Sequence, residues 1–140
     1  MDVSIISPVF NEKDNLEPFI KQVSNALSKE AWTWELILVD DGSDDGSFNL
    51  LQKLSKSQKN LRIISLSKNF GQTSAIQAGF DNASGKYLVT LDSDLQNDPK
   101  DIPSLLHKLI NENLDLVVGW RKDRKDNFLF RNLPSYIANK

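Results

Sequence analysis

The chain has 140 residues, with 17 Lys or Arg, 19 Asp or Glu, a formal net charge of −2 and no cysteine. Nucleic-acid-binding proteins usually carry an excess of basic residues, which this chain lacks, so no nucleic acid is expected as a partner. The cysteine count excludes disulfides, thiolate zinc sites and cysteine nucleophiles, and the single His107 excludes a multi-histidine metal centre. No apolar stretch approaches the roughly 20 residues of a membrane helix, and no signal peptide opens the chain, which predicts a cytoplasmic protein.

Five short apolar segments recur along the chain, each rich in Val, Ile and Leu and too short for a helix. Their hydrophobicity is continuous rather than alternating, which is typical of parallel strands covered on both faces. The predicted strands are Val3–Ser7, Glu35–Asp40, Leu61–Leu66, Lys86–Asp92 and Leu114–Trp120.

Helical periodicity fills the stretches after the first four strands. The first stretch has one apolar face and a cap at Asp14 or Asn15, and the third has small residues that allow close packing on a sheet. The four apolar faces are Leu16, Phe19, Ile20, Val23 and Leu27; Phe48, Leu51 and Leu54; Ala75, Ile76, Gly79 and Phe80; and Ile102, Leu105, Leu106, Leu109 and Ile110. Alternating strands and helices predict an α/β fold of right-handed βαβ units with a mostly parallel sheet.

The C-terminal stretch has a different character. A charged run from Arg121 leads to the apolar residues Phe128–Phe130, Leu133, Tyr136 and Ile137. We expect a core over residues 1–122 and a charged linker with the start of another segment over residues 123–140, in a chain cut from a larger protein. Two interpretations of this segment stay open: an amphipathic stretch on a membrane surface, or a stretch that packs on the rest of that protein.

Polar and acidic residues follow the predicted strands, where open α/β sheets bind their ligands. Several carboxylates meeting at one edge would repel each other unless a cation or hydrogen-bond donors offset their charge. The pattern therefore indicates a divalent metal. The five strand ends are Pro8-Val9-Phe10-Asn11-Glu12, Asp40–Ser47, Ser67–Gln72, Asp92-Ser93-Asp94-Leu95-Gln96 and Gly119-Trp120-Arg121.

The fourth of these strand ends is the predicted metal site. Asp92, Asp94 and Gln96 alternate, so an extended backbone would project all three side chains to one side. Oxygen ligands without histidine or cysteine favour Mg²⁺ or Mn²⁺ over zinc. The alternative for these aspartates is a helix cap, a role that better suits Asp98 because Pro99 follows it.

The second strand end has adjacent carboxylates and two glycines. Gly42 and Gly46 suit tight turns and Asp44 or Asp45 a helix cap, but neither role explains a carboxylate at a strand end. Asp41 is therefore a candidate acceptor of hydrogen bonds from a base or sugar. An EF-hand is excluded, because Leu51 stands where the calcium loop needs glutamate.

No glycine-rich phosphate loop is present, so a nucleotide would be bound by metal and side chains. Arg121 is a candidate phosphate clamp, since a guanidinium binds phosphate through two parallel hydrogen bonds. His107 lies within a predicted helix and is interpreted as a surface residue.

Together, Pro8–Glu12, Val39–Ser43, Asn69–Gln72, Asp92–Gln96 and Gly119–Arg121 resemble glycosyltransferase family 2. Their order is similar to that in dolichol-phosphate mannosyltransferases and bactoprenol (undecaprenyl-phosphate) glucosyltransferases. Each motif is weak alone, but five in this order across nearly the whole chain are specific. The resemblance implies a GT-A fold, with a nucleotide-sugar-binding core over residues 1–122 and the start of an acceptor-side part over residues 123–140.

The resemblance also implies roles for single residues. Pro8, Val9, Phe10 and Glu12 would border the base and ribose, Asp41 would hydrogen-bond the base, and Gly71 and Gln72 would lie near the base or pyrophosphate. Asp92-Ser93-Asp94 would form the DxD element, with Ser93 at the nucleotide-sugar and with Asp92, Asp94 and Gln96 as ligands of Mg²⁺ or Mn²⁺. Asp92, Asp94 and Arg121 would be the catalytic residues, Arg121 facing the pyrophosphate or the acceptor phosphate.

The implied reaction is inverting transfer of a sugar from a nucleotide-sugar, UDP favoured over GDP, to a polyprenyl phosphate at the cytoplasmic face of the membrane. Family members continue well past this length, so a donor-binding fragment without turnover is one alternative. A receiver-like signalling domain with Asp40 and Asp41 as its acidic pocket is another. The glycine- and arginine-rich loop of sugar nucleotidyltransferases is missing after the first strand, and no oligomeric state is predicted.

Overall fold

Four parallel strands form one sheet in a computed structural model that describes residues 1–119, which confirms the predicted α/β fold. In chain order the elements are Val3–Val9 (β1), Lys13–Leu27 (α1), Trp34–Asp40 (β2), Ser47–Ser55 (α2), Leu61–Ser65 (β3), Gln72–Asn82 (α3), Tyr87–Thr90 (β4) and Asp101–Asn111 (α4). The strand order is β3-β2-β1-β4, so β1 and β2 lie in the centre. None of the helices within residues 1–119 is long and apolar enough to cross a membrane.

The helices cover the two central strands on both sides. On one face, side chains of α1, α2 and α4 pack on β1 and β2, and the predicted apolar face of α1 is buried there. On the other face Ala75 of α3 packs against Ile6, Ile37 and Val39. Each fully buried side chain of this size contributes about 1.5–3 kcal/mol relative to exposure, so these two layers supply most of the stabilisation.

The predicted close packing of α3 on the sheet is confirmed at Gly79. A Cβ atom at this position would lie 2.2 Å from Cγ2 of Ile6. Only glycine lets the helix backbone approach β1 this closely, and Gly79 and Ala75 are the two buried residues of α3.

The predicted fifth strand, Leu114–Trp120, is wrong for its described part. Residues 114–119 form no strand, and the side chains of Leu116 and Val118 are each 76% exposed. An apolar strand needs a covering layer, and the described residues provide none over these side chains. Covering on both faces holds for β1 and β2 but not for β4, where Leu88 is 48% exposed.

An ion pair between a buried carboxylate and a half-exposed guanidinium joins the amino ends of the strands, at the edge opposite the predicted site. Glu35 is 3% exposed, accepts a 2.6 Å hydrogen bond from the Ser4 hydroxyl and pairs with Arg62 at 2.7 Å. The backbone N–H of Ser84 donates to the same carboxylate at 2.8 Å. Burial raises the pKa of Glu35, but the hydrogen bonds from Ser4, Arg62 and Ser84 together lower it by more than burial raises it. The pKa therefore lies below its usual value.

Replacing Glu35 with glutamine is expected to destabilise the fold at neutral pH by about 1–3 kcal/mol, because a charged acceptor of three donors is lost. A carboxyl whose folded pKa is lowered stabilises above its unfolded pKa of about 4.3 and loses that contribution as pH falls through the folded value. The gap in urea unfolding free energy between wild type and Glu35→Gln should therefore narrow between about pH 5 and pH 3.

The matched control is Glu112→Gln, which changes the exposed carboxylate just after α4 that pairs with Lys108 of that helix at 3.0 Å. Its cost should stay below about 0.5 kcal/mol at every pH. A Glu35→Gln deficit that stays constant as the pH is lowered would contradict the role given to the ion pair.

Candidate functional site

A cleft of about 340 Å³ lies at the carboxyl edge of the sheet, where the strands of open α/β folds bind ligands. It is lined by Pro8, Val9, Phe10, Glu12, Asp41, Asn69, Gly71, Gln72, Asp92, Ser93 and Asp94. The structure thus brings together all the residues predicted to bind the nucleotide-sugar and both predicted metal-binding aspartates. Gln96 does not line this cleft, and Arg121 lies outside the described residues, as does the segment 123–140.

The loop after β1 is positioned by side chains of the loop after β2 and of the first residue of α2. The backbone N–H groups of Asn11 and Glu12 donate to the hydroxyls of Ser43 and Ser47 at 3.0 and 3.1 Å. The Lys13 N–H donates to Oδ2 of Asp45 at 3.1 Å. The cap of α1 therefore comes from another loop, and the predicted cap at Asp14 or Asn15 is wrong. These bonds fix Phe10 and Glu12 at the wall of the cleft.

Asp45 bonds to the start of the next helix, but the predicted cap at Asp44 or Asp45 is wrong, because Gly46 occupies the N-cap position of α2. Its Oδ1 accepts the N–H of Ser47, the first residue of α2, at 2.8 Å. Burial raises the pKa of Asp45, but hydrogen bonds from Ser47 and from the Lys13 N–H lower it by more in sum, so the carboxyl stays ionised at neutral pH.

Asp41 fixes the loop after β3. Its carboxylate is 3% exposed, and the two oxygens accept the N–H groups of Phe70 at 2.8 Å and Gly71 at 2.9 Å. Asp40, its neighbour, is 2% exposed and does not line the cleft. Much of the signal from the paired carboxylates is thus explained by one side chain that positions a loop, and the predicted contact of Asp41 with a base stays a prediction.

Gly42 allows the same loop to come close. Its φ is +73°, and a Cβ atom there would lie 2.5 Å from the carbonyl carbon of Lys68 and 2.6 Å from the backbone nitrogen of Asn69. These are backbone atoms that cannot rotate away. The loops after β2 and β3 are therefore in direct backbone contact beside the cleft.

The Asp92–Gln96 segment is anchored to β1 and to α3. The Ser93 hydroxyl, 3% exposed, donates to the Pro8 carbonyl at 3.0 Å. The amide of Gln72 donates to Oδ1 of Asp92 at 2.8 Å, and the Gln96 N–H donates to Oδ1 of Asp94 at 2.9 Å. The predicted extended backbone is wrong here, because Leu95 adopts φ +62° and turns the chain. This turn separates Gln96 from the cleft, and its ligand role stays a prediction.

The donor set of the cleft fits a hard divalent cation. Asp92 and Asp94 both line it, and the second oxygen of each carboxylate accepts no hydrogen bond from the residues that the structure describes. Within residues 1–119 no three Asp, Glu, His or Cys side chains gather into a fuller cage. Mg²⁺ needs no such cage, since one or two carboxylates plus substrate phosphates and water usually complete its shell.

Two residues outside the predicted metal site behave as expected. Oδ1 of Asp98 accepts the N–H of Lys100 at 3.0 Å, in the turn that leads into α4, so this aspartate acts as a cap. His107 is half-exposed and contacts Glu30 at 3.1 Å and the Trp32 ring at 4.8 Å between centroids, away from the cleft.

Asn69 is the lining residue to which the sequence pattern assigned no role. Its Oδ1 accepts the Gly71 N–H at 3.0 Å, which adds a second acceptor to that group. The available signal was an asparagine two residues before a glycine, a spacing typical of side-chain-to-backbone turns.

The family model described as Glycosyl transferase family 2 matches residues 4–139. The chain belongs to this family. Dodecaprenyl-phosphate galacturonate synthase of Rhizobium johnstonii is 47% identical over 140 residues, which are 99% of this chain and 41% of that protein. Undecaprenyl-phosphate 4-deoxy-4-formamido-L-arabinose transferase of Salmonella choleraesuis is 41% identical over 138 residues, 98% of this chain and 42% of that protein. The chain thus spans about two fifths of the length of these relatives.

Solved structures share the fold. Mannosyltransferase PcManGT from Pyrobaculum calidifontis, in complex with GDP-Man and Mn²⁺, superposes with a TM-score of 0.65 at 19% identity, over 76% of this chain and 32% of that one. S. aureus TarS 1-349 in complex with UDP gives 0.62 at 22% identity, over 94% of this chain and 40% of that one. The predicted GT-A fold is confirmed, and the family match removes the receiver-like interpretation.

Proposed function

We propose that this chain is the donor-binding part of an inverting glycosyltransferase that moves a sugar from a nucleotide-sugar to a polyprenyl phosphate. The observation that carries the proposal is the cleft in which Asp92 and Asp94 face the loops after β1, β2 and β3. Support for the acceptor comes from the two curated relatives, which are named for dodecaprenyl phosphate and undecaprenyl phosphate.

The wall formed by the first and third loops suits the nucleoside. The Phe10 ring is 46% exposed and lines the cleft, so it offers an aromatic face to a base. Val9 and Pro8 contribute apolar surface beside it, and Glu12 and Asn69 contribute polar atoms for a ribose or a base edge. We favour UDP over GDP from the likeness to the bactoprenol branch.

Asp92 and Asp94 would bind Mg²⁺ or Mn²⁺ at the pyrophosphate, with Gln96 and Arg121 as further candidates for the ion and the phosphates. A divalent ion bound there supplies Lewis-acid stabilisation of the nucleoside diphosphate as it leaves. The two carboxylates orient toward the cleft because Ser93 between them is anchored to the Pro8 carbonyl. PcManGT, which has the same fold, was solved in complex with GDP-Man and Mn²⁺, and this supports a divalent ion at the donor.

The acceptor chemistry explains why the cleft needs no histidine. A phosphomonoester has its second pKa near about 6, so its attacking oxygen is already anionic at neutral pH. Positioning by the acceptor-side part then supplies much of the remaining rate enhancement. Because the acceptor is a lipid and the donor is water-soluble, we assign the reaction to the cytoplasmic face of the membrane, with residues 123–140 as the start of the acceptor side.

The test is a calorimetric titration of the 140-residue chain with UDP and with GDP, each in Mn²⁺ and in EDTA. We expect UDP to bind more tightly than GDP, and Mn²⁺ to raise the affinity by about tenfold or more. Binding that is equal in Mn²⁺ and EDTA would overturn the metal site, and binding of neither nucleotide would overturn the donor site. A chain that binds donor but shows no transfer to polyprenyl phosphate would support the alternative of donor binding without turnover.

A further inference from the structure

We propose that Gln72 is a positioning residue that orients Asp92 for the metal. It also links the metal end of the cleft, formed by Asp92 and Asp94, to the base end, formed by the loops after β1 and β3. This inference rests on the proposed function. The family resemblance implies that Gln72 lies near the base or pyrophosphate, and its side-chain amide donates to Oδ1 of Asp92 at 2.8 Å. Gln72 therefore contacts the carboxylate that is to bind the ion.

The type of donor matters. A lysine at this position would bring a positive charge that competes with a cation for Asp92, whereas an amide is neutral. A single hydrogen bond from the amide fixes the rotamer of the Asp92 carboxylate and engages Oδ1, which leaves Oδ2 for the ion. Mutation of a group that orients a metal-binding carboxylate in this way typically changes metal affinity by about 10- to 100-fold.

Gln72 can orient Asp92 because its own backbone is fixed. It is the first residue of α3 and follows Gly71, whose N–H donates to both Asp41 and Asn69. Gly71 has φ +93° and ψ 157°, a conformation that is essentially restricted to glycine. The Phe70 N–H donates to the other oxygen of Asp41 at 2.8 Å.

A short chain of contacts therefore joins β2 to the metal end of the cleft. Asp41 binds the backbone of Phe70 and Gly71, and Gln72 directly after them binds Asp92. A nucleotide that stabilises this loop should raise the affinity for the ion, and the ion should raise the affinity for the nucleotide by the same factor, as linkage requires.

The experiment compares Gln72→Ala with Gln77→Ala. Gln77 lies in the same helix, and its amide donates to Asp81 at 2.8 Å, so the control removes the same kind of bond away from the cleft. Mn²⁺ affinity is measured by electron paramagnetic resonance at saturating UDP, and UDP affinity is measured separately in EDTA. We expect Gln72→Ala to weaken Mn²⁺ binding by about 3- to 10-fold, because an exposed hydrogen bond is worth less than a buried one, and to weaken UDP binding in EDTA by a smaller factor than this.

A second variant, Asp41→Asn, tests the link through the loop. Its amide nitrogen would face a backbone N–H, so one of the two bonds to the loop is lost. Mn²⁺ binding should therefore weaken, although the hydrogen bonds of the Asp41 carboxylate go to Phe70 and Gly71 and not to Asp92. Unchanged Mn²⁺ affinity in Gln72→Ala, or an equal loss in Gln77→Ala, overturns the inference while the wild-type donor site stands. If wild type shows no Mn²⁺-dependent UDP binding, the proposed function itself fails and the inference fails with it.

The amide signals of Gln72 give a readout that needs no metal. In the wild type they should be shifted from those of an unbonded glutamine, and Asp92→Asn should move them while leaving the Gln77 signals in place. Gln72 signals that do not respond to Asp92→Asn would overturn the contact from which the inference starts.

Discussion

Replacing Asp94 with alanine is expected to abolish the Mn²⁺-dependent part of nucleotide binding, with a loss of about 100-fold or more in affinity for the metal–nucleotide pair. Asp94 supplies one of the two carboxylates at the metal end of the cleft. Asp41, another acidic residue that lines it, has both oxygens engaged by backbone N–H groups and is not placed to substitute.

Titration calorimetry with UDP in Mn²⁺ and in EDTA measures this effect directly. Affinity in EDTA should change little, because Asp94 is expected to contact the ion rather than the nucleoside. The matched control is Asp81→Ala, which removes an exposed carboxylate of α3 that bonds to Gln77. Equal losses in Mn²⁺ and EDTA would show that Asp94 supports the shape of the cleft and not the ion.

The sequence was sufficient for the sheet because the central strands have an unambiguous signal. The strands β1 and β2 are almost continuously apolar and almost completely buried, as two-sided covering requires. The same criterion predicted a strand at Leu114–Trp120, and this was wrong for the described part. An apolar run indicates that a segment can be buried, but not that another element is present to cover it. Leu116 and Val118 remain exposed within the described part of the chain.

The site was predictable as a set of strand ends but not as a set of contacts. Parallel topology alone brings the polar residues after β1, β2, β3 and β4 to one edge, which is why the predicted residues meet in one cleft. Which partner each takes depends on loop geometry. The residue types alone do not predict that both oxygens of Asp41 accept backbone N–H groups of a loop 29 residues further along the chain.

Leu95 shows the same limit more sharply. A leucine disfavours φ values such as its +62°, so the sequence gives no reason to expect a turn between Asp94 and Gln96. The alternation of Asp92, Asp94 and Gln96 therefore looked like an extended segment. Strain of this kind costs about 1–3 kcal/mol and is retained where the surrounding structure imposes it, here beside the predicted metal ligands.

Replacing Gly42 with alanine is expected to destabilise the fold through backbone strain and a backbone clash together. The φ of +73° alone costs a residue with a Cβ about 1–2 kcal/mol. The new methyl would also meet the Lys68–Asn69 backbone at 2.5–2.6 Å, and relieving such a clash costs about 1–3 kcal/mol more. Urea unfolding should therefore report a loss of about 2–5 kcal/mol.

Gly46→Ala separates the two causes. Gly46 has φ +91°, but the nearest atom to a Cβ there is the flexible Nζ of Lys13 at 3.5 Å, so this variant has the backbone strain without the clash. It should cost only about 1–2 kcal/mol. The backbone that Gly42→Ala displaces lies just before Phe70 and Gly71, which Asp41 binds, so UDP affinity in the folded fraction should fall as well. Equal costs for the two variants would show that the loops separate freely, and that their contact does not shape the cleft.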